Sequence, residues 1–124
     1  MILIIGGAYQ GKLDYAINNF PGRSVFQCSE EKPEMDTKKD IINSLHLMGL
    51  AQIREGINTI DFLRGLLPQL KDKIIICDDI FSGIVPVEYE MRLWRETMGG
   101  ALTLLSKNAN KVIRVFCGIG SMIK

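Results

Sequence analysis

The chain has 124 residues, of which 47% are hydrophobic and 23% are charged, and its formal net charge is +1. This length and composition predict one globular domain over residues 1–124. The balanced charge gives no basic excess of the kind that indicates a nucleic-acid-binding protein. The apolar runs are too short to span a bilayer, and the N-terminus lacks the basic start and cleavage site of a signal peptide.

The three cysteines are far apart in the sequence, and each one ends an apolar run. No C-x-x-C pair and no Cys/His spacing typical of a zinc site is present in the sequence. We therefore interpret Cys28, Cys77 and Cys117 as small buried side chains of a reduced, cytoplasmic protein.

Short β-like runs alternate with helical patterns, starting at the N-terminus. The wholly apolar run Ile2–Ile5 predicts a strand that is covered on both faces. A glycine-rich turn over Gly6–Gly11 separates it from a helix predicted over Lys12–Phe20. A second strand is predicted over Ser24–Gln27, and the polar segment Ser29–Lys39 is predicted to be a loop.

The middle of the chain leaves one element open. Ile41–Ser44 fits a third strand, although a helix that begins anywhere from Asp40 onward also fits this stretch. Apolar spacing then predicts helical segments from Leu45 to Ile57 and from Ile60 to Leu67, with a break at Gly56–Asn58.

The last part of the chain repeats the strand-to-helix pattern. The run Ile74–Cys77 predicts a buried strand, Ile80–Pro86 a loop, and the apolar spacing from Val87 to about Lys107 a long helix. A final strand is predicted over Lys111–Phe116, after which Gly118–Gly120 turns the chain into a short tail. This order implies right-handed β-α-β units, and therefore an α/β fold with a mostly parallel sheet flanked by helices.

One glycine-rich motif carries recognisable chemistry. The segment Gly6–Lys12 fits the pattern G-x-x-x-x-G-K between a strand and a helix. Glycines let successive backbone N–H groups turn toward a phosphate, the helix N-terminus adds partial positive charge, and Lys12 brings a full charge to the outer phosphates. We therefore predict a P-loop NTPase-like (RecA-like) domain, with a plain strand-to-helix turn as the alternative. The predicted nucleotide-binding residues are Gly6, Gly7, Ala8, Tyr9, Gln10, Gly11, Lys12 and Leu13.

The candidates for a metal site are incomplete. Leu13 stands where such loops have a Ser or Thr whose hydroxyl ligates magnesium. We interpret the adjacent Asp14 as a first-turn acid that interacts favourably with the helix dipole. Asp78 and Asp79 follow the strand Ile74–Cys77, where one of them is a candidate to hold Mg²⁺ or to accept a substrate proton. An aspartate that caps a turn is the alternative.

Four further side chains are candidates either for the phosphate site or for the core. Arg92 and Arg95, on the polar side of the long helix, are candidates to neutralise phosphate charge, although on spacing alone a solvated helix face is the simpler interpretation. His46, the only histidine, lies among leucines and is interpreted as a packed, hydrogen-bonded residue. Trp94 is interpreted as a core residue.

The last third of the chain resembles a known enzyme family. The relevant segments are Gly83-Ile84-Val85-Pro86, the stretch Arg92-Leu93-Trp94-Arg95-Glu96, and Cys117-Gly118-Ile119-Gly120. Together with the N-terminal Gly-Gly-Ala loop and its Gly-Lys, they resemble the adenosylcobinamide kinase/adenosylcobinamide-phosphate guanylyltransferase family. The similarity covers roughly residues 1–28 and 73–124.

The resemblance implies a step in the assembly of the cobalamin nucleotide loop. A nucleoside triphosphate, ATP or GTP, phosphorylates the aminopropanol hydroxyl of adenosylcobinamide, and GTP then donates GMP through a guanylylated histidine. The resemblance also implies Mg²⁺ as cofactor, a corrinoid substrate, and a homo-oligomer such as a trimer. Asp78 and Asp79 stand where the family has Asn and Glu. The catalytic residues implied in this way are Lys12, Asp78, Asp79, Arg92 and Arg95.

The sequence departs from the family pattern at the metal and the histidine. Leu13 replaces the hydroxyl residue, and Asn43 replaces an aspartate that helps to hold magnesium if Ile41–Leu47 matches that strand. The segment Ser29–Lys39 has no histidine, and His46 falls too late in the register to match the guanylylated one. We therefore expect guanylyl transfer to be impaired. The function hypotheses are a cobinamide kinase, a catalytically weakened nucleotide- or corrinoid-binding module, and a P-loop NTPase unrelated to cobalamin.

Overall fold

The computed structural model describes residues 1–80 and 88–124. Within them, the strands are β1 (Ile2–Gly6), β2 (Val25–Gln27), β3 (Ile41–Asn43), β4 (Ile74–Asp78), β5 (Lys111–Phe116) and β6 (Ile119–Met122). The helices are α1 (Lys12–Asn19), α2 (Leu45–Arg54), α3 (Thr59–Leu66) and α4 (Tyr89–Asn108), and a 3-10 helix over Leu67–Leu70 follows α3.

The strands form one sheet in the order β2-β3-β4-β1-β5-β6. Strands β1 to β5 are parallel to one another, and β6 is antiparallel to β5. The predicted α/β fold with a mostly parallel sheet flanked by helices is therefore confirmed. Because β1 pairs directly with β4, and Gly6 is opposite Asp78 in the register, the glycine-rich loop and the end of β4 lie side by side.

The sheet separates two apolar layers. Alternate strand residues such as Leu3 and Ile75 pack with α2, α3 and α4, whereas Ile4 and Ile76 pack with Ala16 of α1. Side chains in a strand point alternately to opposite faces, so both faces must be apolar when both are covered by helices. This explains why β1 and β4 are nearly continuous apolar runs.

The structure decides the element that the sequence left open. Ile41–Asn43 forms β3, and the alternative of a helix from Asp40 is wrong because α2 begins only at Leu45. The predicted break near Gly56–Asn58 is confirmed. There, the Asn58 side chain accepts a hydrogen bond from the Asp61 N–H at 3.1 Å, which caps α3.

Two predictions for the end of the chain are wrong. The residues after Gly118 form the strand β6 instead of a short tail. Cys117 and Gly118 have φ values of 51° and 76°, the left-handed geometry of a two-residue hairpin turn. Because it lies in this turn, Cys117 is exposed, contrary to the prediction that it is buried.

The other two cysteines are buried, as the sequence predicted. Burial raises the pKa of Cys28 to about 12, and it also raises the pKa of Cys77 above its usual range. Both thiols therefore stay protonated near neutral pH, as expected of packed, unreactive cysteines.

Some predictions fall on residues 81–87. Most of the loop predicted over Ile80–Pro86, the Gly83–Pro86 stretch and Val87 lie outside the described residues. From Tyr89 onward, the predicted long helix is confirmed as α4. In the part of the chain that the structure describes, no helix combines the length and the apolar character that a membrane span requires.

Candidate phosphate-binding site

The glycine-rich loop joins the end of β1 to the start of α1, and two of its glycines have a steric role. A Cβ at Gly6 would collide with the backbone carbonyl oxygen of Val115 in β5. Gly11 occupies the N-cap position of α1 with φ +84°, a conformation that glycine adopts at low cost. The sharp turn from strand to helix therefore depends on both residues.

We predict that Gly6→Ala lowers the free energy of unfolding by about 1–3 kcal/mol, because the atom in its way is the carbonyl oxygen of Val115, whose backbone is fixed by the pairing of β5 with β6. Gly65→Ala is the matched control. Gly65 lies in α3 with nothing within 4 Å of an added Cβ, so alanine should be neutral or stabilise the helix by up to about 1 kcal/mol. Chemical denaturation measures both variants. Equal unfolding free energies for Gly6→Ala and the wild type would contradict the steric argument.

The hairpin turn between β5 and β6 holds the middle of the loop. Gln10 Oε1 accepts a hydrogen bond from the Cys117 N–H at 2.8 Å, and the Gln10 carbonyl oxygen accepts one from the Gly118 N–H at 2.8 Å. Neither contact follows from the sequence prediction, in which Gly118–Gly120 turns the chain into a short tail. Tyr9, beside Gln10, is fully exposed and has φ 60°.

Lys12 is the first residue of α1 and is only 7% exposed. Its Nζ donates a hydrogen bond to the Gly7 carbonyl oxygen at 2.6 Å and lies 2.7 Å from Asp78 Oδ1 at the end of β4. A buried ammonium group needs such partners, because removing its charge from water is costly. The structure thus brings Lys12 and Asp78, two of the predicted site residues, into direct contact.

His46 contacts the other carboxylate oxygen of Asp78. Its Nδ1 accepts a hydrogen bond from the Asp78 backbone N–H at 3.1 Å, and its Nε2 lies 3.4 Å from Asp78 Oδ2. Burial of the ring lowers the pKa of His46; the Asp78 carboxylate opposes this shift and the Lys12 ammonium adds to it. The interpretation of His46 as a packed, hydrogen-bonded residue is confirmed. Its contact with Asp78 was not predicted.

A cavity of about 330 Å³ opens between the loop, the first turn of α1 and the ends of β3 and β4. This volume lies within the usual range for small-molecule sites, near its lower end. The cavity lies at the carboxyl edge of the parallel strands, where ligands bind in α/β sheets. Its lining includes Ala8–Leu13, Asp14, Asn43, Ser44 and Asp78.

The remaining candidates do not line this cavity. Asp79 donates its backbone N–H to the Gly6 carbonyl oxygen at 2.7 Å, and its buried Oδ1 has no hydrogen-bond partner among the described residues. On α4, Arg92 is exposed and Arg95 is half-buried. Trp94, between them, packs against the core, as its spacing predicted, and donates its Nε1–H to the His46 carbonyl oxygen at 2.7 Å.

The side chains at this edge fit a magnesium ion that is held largely by substrate phosphates. Such ions commonly take one or two carboxylates, with phosphate oxygens and waters completing the shell. Asp78 lines the cavity, and Asp79 has a buried oxygen with no hydrogen-bond partner in the part of the chain that the structure describes. Leu13 supplies no oxygen, and the Asn43 amide nitrogen already donates to Gln27 Oε1 at 2.6 Å. Over residues 1–80 and 88–124, no group of three His, Cys, Asp or Glu side chains could hold a metal ion by itself.

The fold and the site together define an α/β protein with a glycine-rich loop, a buried lysine and a carboxylate at the carboxyl edge of a mostly parallel sheet. No protein-family model matches the chain, and no curated protein matches it significantly.

Proposed function

We propose that the chain binds a nucleoside triphosphate, ATP or GTP, with the outer phosphates at Lys12. The buried ammonium group of Lys12 carries the proposal, because it is directed at the end of β4 beside a cavity that the glycine-rich loop lines. Its present partner is a carboxylate, so the position already accommodates an anionic oxygen. The backbone N–H groups of the loop and the N-terminus of α1 would add further positive potential for a phosphate.

We further propose a kinase reaction on the aminopropanol hydroxyl of adenosylcobinamide, in keeping with the family resemblance. In this proposal Lys12 stabilises the charge of the transferring phosphoryl group, and Arg92 and Arg95 neutralise other phosphate oxygens. Asp78 or Asp79 accepts the hydroxyl proton or holds Mg²⁺. The metal, bound with the nucleotide, supplies charge neutralisation at the phosphates. Positioning and electrostatic stabilisation of this kind provide most of the catalysis in phosphoryl transfer.

Guanylyl transfer is left out of the proposal. The chain has one histidine, His46, which is 6% exposed and is not among the residues that line the cavity. A covalent guanylyl intermediate would require an accessible ring nitrogen.

A cavity of about 330 Å³ is too small to enclose a nucleotide and a corrinoid together. We therefore include in the proposal a homo-oligomer, such as a trimer, whose neighbouring subunits complete the corrinoid site.

A catalytically weakened binding module is the second candidate. Leu13 offers no hydroxyl to a metal, and the Asn43 side chain has no charge and is tied to Gln27. Both observations favour a site that holds a nucleotide without using it. A P-loop NTPase unrelated to cobalamin would share the nucleotide site and differ only in failing to bind a corrinoid.

Calorimetric titration with ATP and with GTP, each with and without Mg²⁺, tests the proposal. We expect a triphosphate to bind, and the magnesium complex to bind more tightly than the free nucleotide if the site is a kinase. Affinity that does not respond to magnesium would favour the binding module. Absence of binding by both nucleotides under both conditions would remove the proposed function. Titration with cobinamide then separates the kinase from an unrelated NTPase.

We predict that Leu13→Ser strengthens binding of the magnesium–triphosphate complex by about tenfold, the effect of one contact worth roughly 1.4 kcal/mol. The new hydroxyl would stand where related loops place a metal ligand. Leu13→Ala is the matched control, because it removes the same apolar side chain without supplying an oxygen. Calorimetry in magnesium and in a chelator measures the difference. If both variants change affinity equally, the hydroxyl is not a ligand at this site.

A further inference from the structure

Asp78 is held at three atoms by two other side chains. Lys12 Nζ lies 2.7 Å from Oδ1, His46 Nε2 lies 3.4 Å from Oδ2, and His46 Nδ1 accepts the backbone N–H at 3.1 Å. A neutral ring whose Nδ1 accepts a hydrogen bond carries its proton on Nε2, the nitrogen that lies 3.4 Å from Oδ2. The two oxygens of the carboxylate therefore face different partners, which opposes its rotation.

The His46 ring is itself well anchored. Only 6% of the residue is exposed, and its carbonyl oxygen accepts the Trp94 indole N–H at 2.7 Å. The two rings lie with their centroids 6.2 Å apart. The hydrogen bond from Trp94 connects the start of α2, where His46 lies, to α4. The position of His46 beside Asp78 is therefore fixed by two helices that pack together.

We propose that His46 is a positioning residue of the phosphate site, which fixes the Asp78 carboxylate and, through it, the ammonium group of Lys12. The inference rests on the proposed function, because Lys12 needs a defined direction only if a phosphate binds there. His46 acts through Asp78 and not on the ligand, since it does not line the cavity. A purely structural histidine would satisfy the same backbone N–H without affecting the direction of Lys12.

The chain has a single histidine, so the ¹⁵N spectrum of its ring can be assigned without ambiguity. We expect an unprotonated Nδ1 and a protonated Nε2 in the free protein. The Nε2 signal should shift in Asp78→Asn, and it should also shift when inorganic triphosphate is added to the wild type, because Lys12 then exchanges a carboxylate for a phosphate. A ring whose signals ignore both changes would overturn the proposal.

Three substitutions separate positioning from packing. His46→Leu fills much of the space but offers no polar group. His46→Asn supplies an amide oxygen near the place of Nδ1 and so satisfies only the backbone N–H, whereas His46→Gln supplies an amide N–H near the place of Nε2, beside the carboxylate. In the presence of magnesium, we expect His46→Leu and His46→Asn to weaken binding of inorganic triphosphate by about tenfold, within the range for residues that orient a ligand-binding group. His46→Gln should recover much of that loss. Denaturation of each variant shows whether it is folded. Equal loss in all three variants would contradict the proposal.

A double-mutant cycle with Asp78 gives the sharpest test, because it isolates the pairwise effect. If His46 acts through Asp78, His46→Leu should leave the triphosphate affinity of an Asp78→Asn variant unchanged, whichever way Asp78→Asn itself shifts that affinity. Losses that multiply independently would overturn the positioning role. A different result would remove the proposed function. If the wild type binds no triphosphate, the cycle cannot be measured, but the response of the His46 ring signals to Asp78→Asn still shows whether the two side chains are in contact.

Discussion

Lys12→Ala is expected to weaken binding of ATP or GTP by about a hundredfold, or roughly 2.8 kcal/mol. The ammonium group is buried and is held within 2.7 Å of an anionic oxygen, so its attraction for a phosphate is screened less than at the surface. The substitution removes that charge and leaves the backbone N–H groups of the loop in place. Calorimetric titration of the variant beside the wild type measures the loss.

Two control variants make the result specific. Lys12→Met keeps an unbranched apolar stem in the buried position and removes only the charge, so it should lose nearly as much affinity as Lys12→Ala. Lys111→Ala removes an exposed lysine at the start of β5, at the amino ends of the parallel strands and away from the cavity. This variant should bind the nucleotide as the wild type does. Wild-type affinity in Lys12→Ala would mean that the glycine-rich loop is a structural turn with a buried ion pair.

The fold was predictable where it depends on local patterns. The apolar runs of β1 and β4 identify strands covered on both faces, and the apolar spacing of α4 identifies its buried side. The order of strands in the sheet was not predictable in this way. That β4, and not β2, lies next to β1 depends on long-range packing, and no local pattern within either strand carries this information.

The candidate site was predictable in part for the same reason. Lys12 and Asp78 both follow the carboxyl ends of strands, and such ends meet at one edge of a parallel sheet. The contact of His46 with Asp78 depends on the turn at Ser44, whose φ of 60° directs the start of α2 toward the end of β4. A serine carries no strong sequence signal for that conformation.

The C-terminal hairpin did leave a signal that was missed. A two-residue loop whose second residue is glycine is typical of a tight hairpin turn, although Gly120 and Ser121 weaken the β-like pattern of the run that follows it. Cys117 and Gly118 fit this description, and their N–H groups reach the loop at Gln10. The sequence prediction of a turn over Gly118–Gly120 into a tail therefore leaves out an element that supports the candidate site.

Asp78→Asn is the second prediction with a large expected effect, and its sign depends on magnesium. Without the metal, the carboxylate competes with a phosphate for Lys12 and repels it, so its removal should strengthen triphosphate binding by about tenfold. With magnesium, the same cavity-lining carboxylate is proposed to be a ligand of the metal, so its removal should weaken binding by about tenfold. The ratio of the two affinities should therefore fall by about a hundredfold. Titrations in magnesium and in a chelator measure it.

Asp72→Asn serves as the charge-matched control. Asp72 is exposed in the turn before β4, at the amino ends of the strands, so this substitution should leave both affinities unchanged.

The sign of the Asp78→Asn effect separates the two main functional hypotheses. A kinase needs the carboxylate for its metal, so the two affinities must move in opposite directions. In a binding module that holds the nucleotide without magnesium, Asp78 acts only as a competitor for Lys12, and its loss would strengthen binding under both conditions. Weaker binding under both conditions would mean that the role of Asp78 in placing Lys12 outweighs its competition with the phosphate.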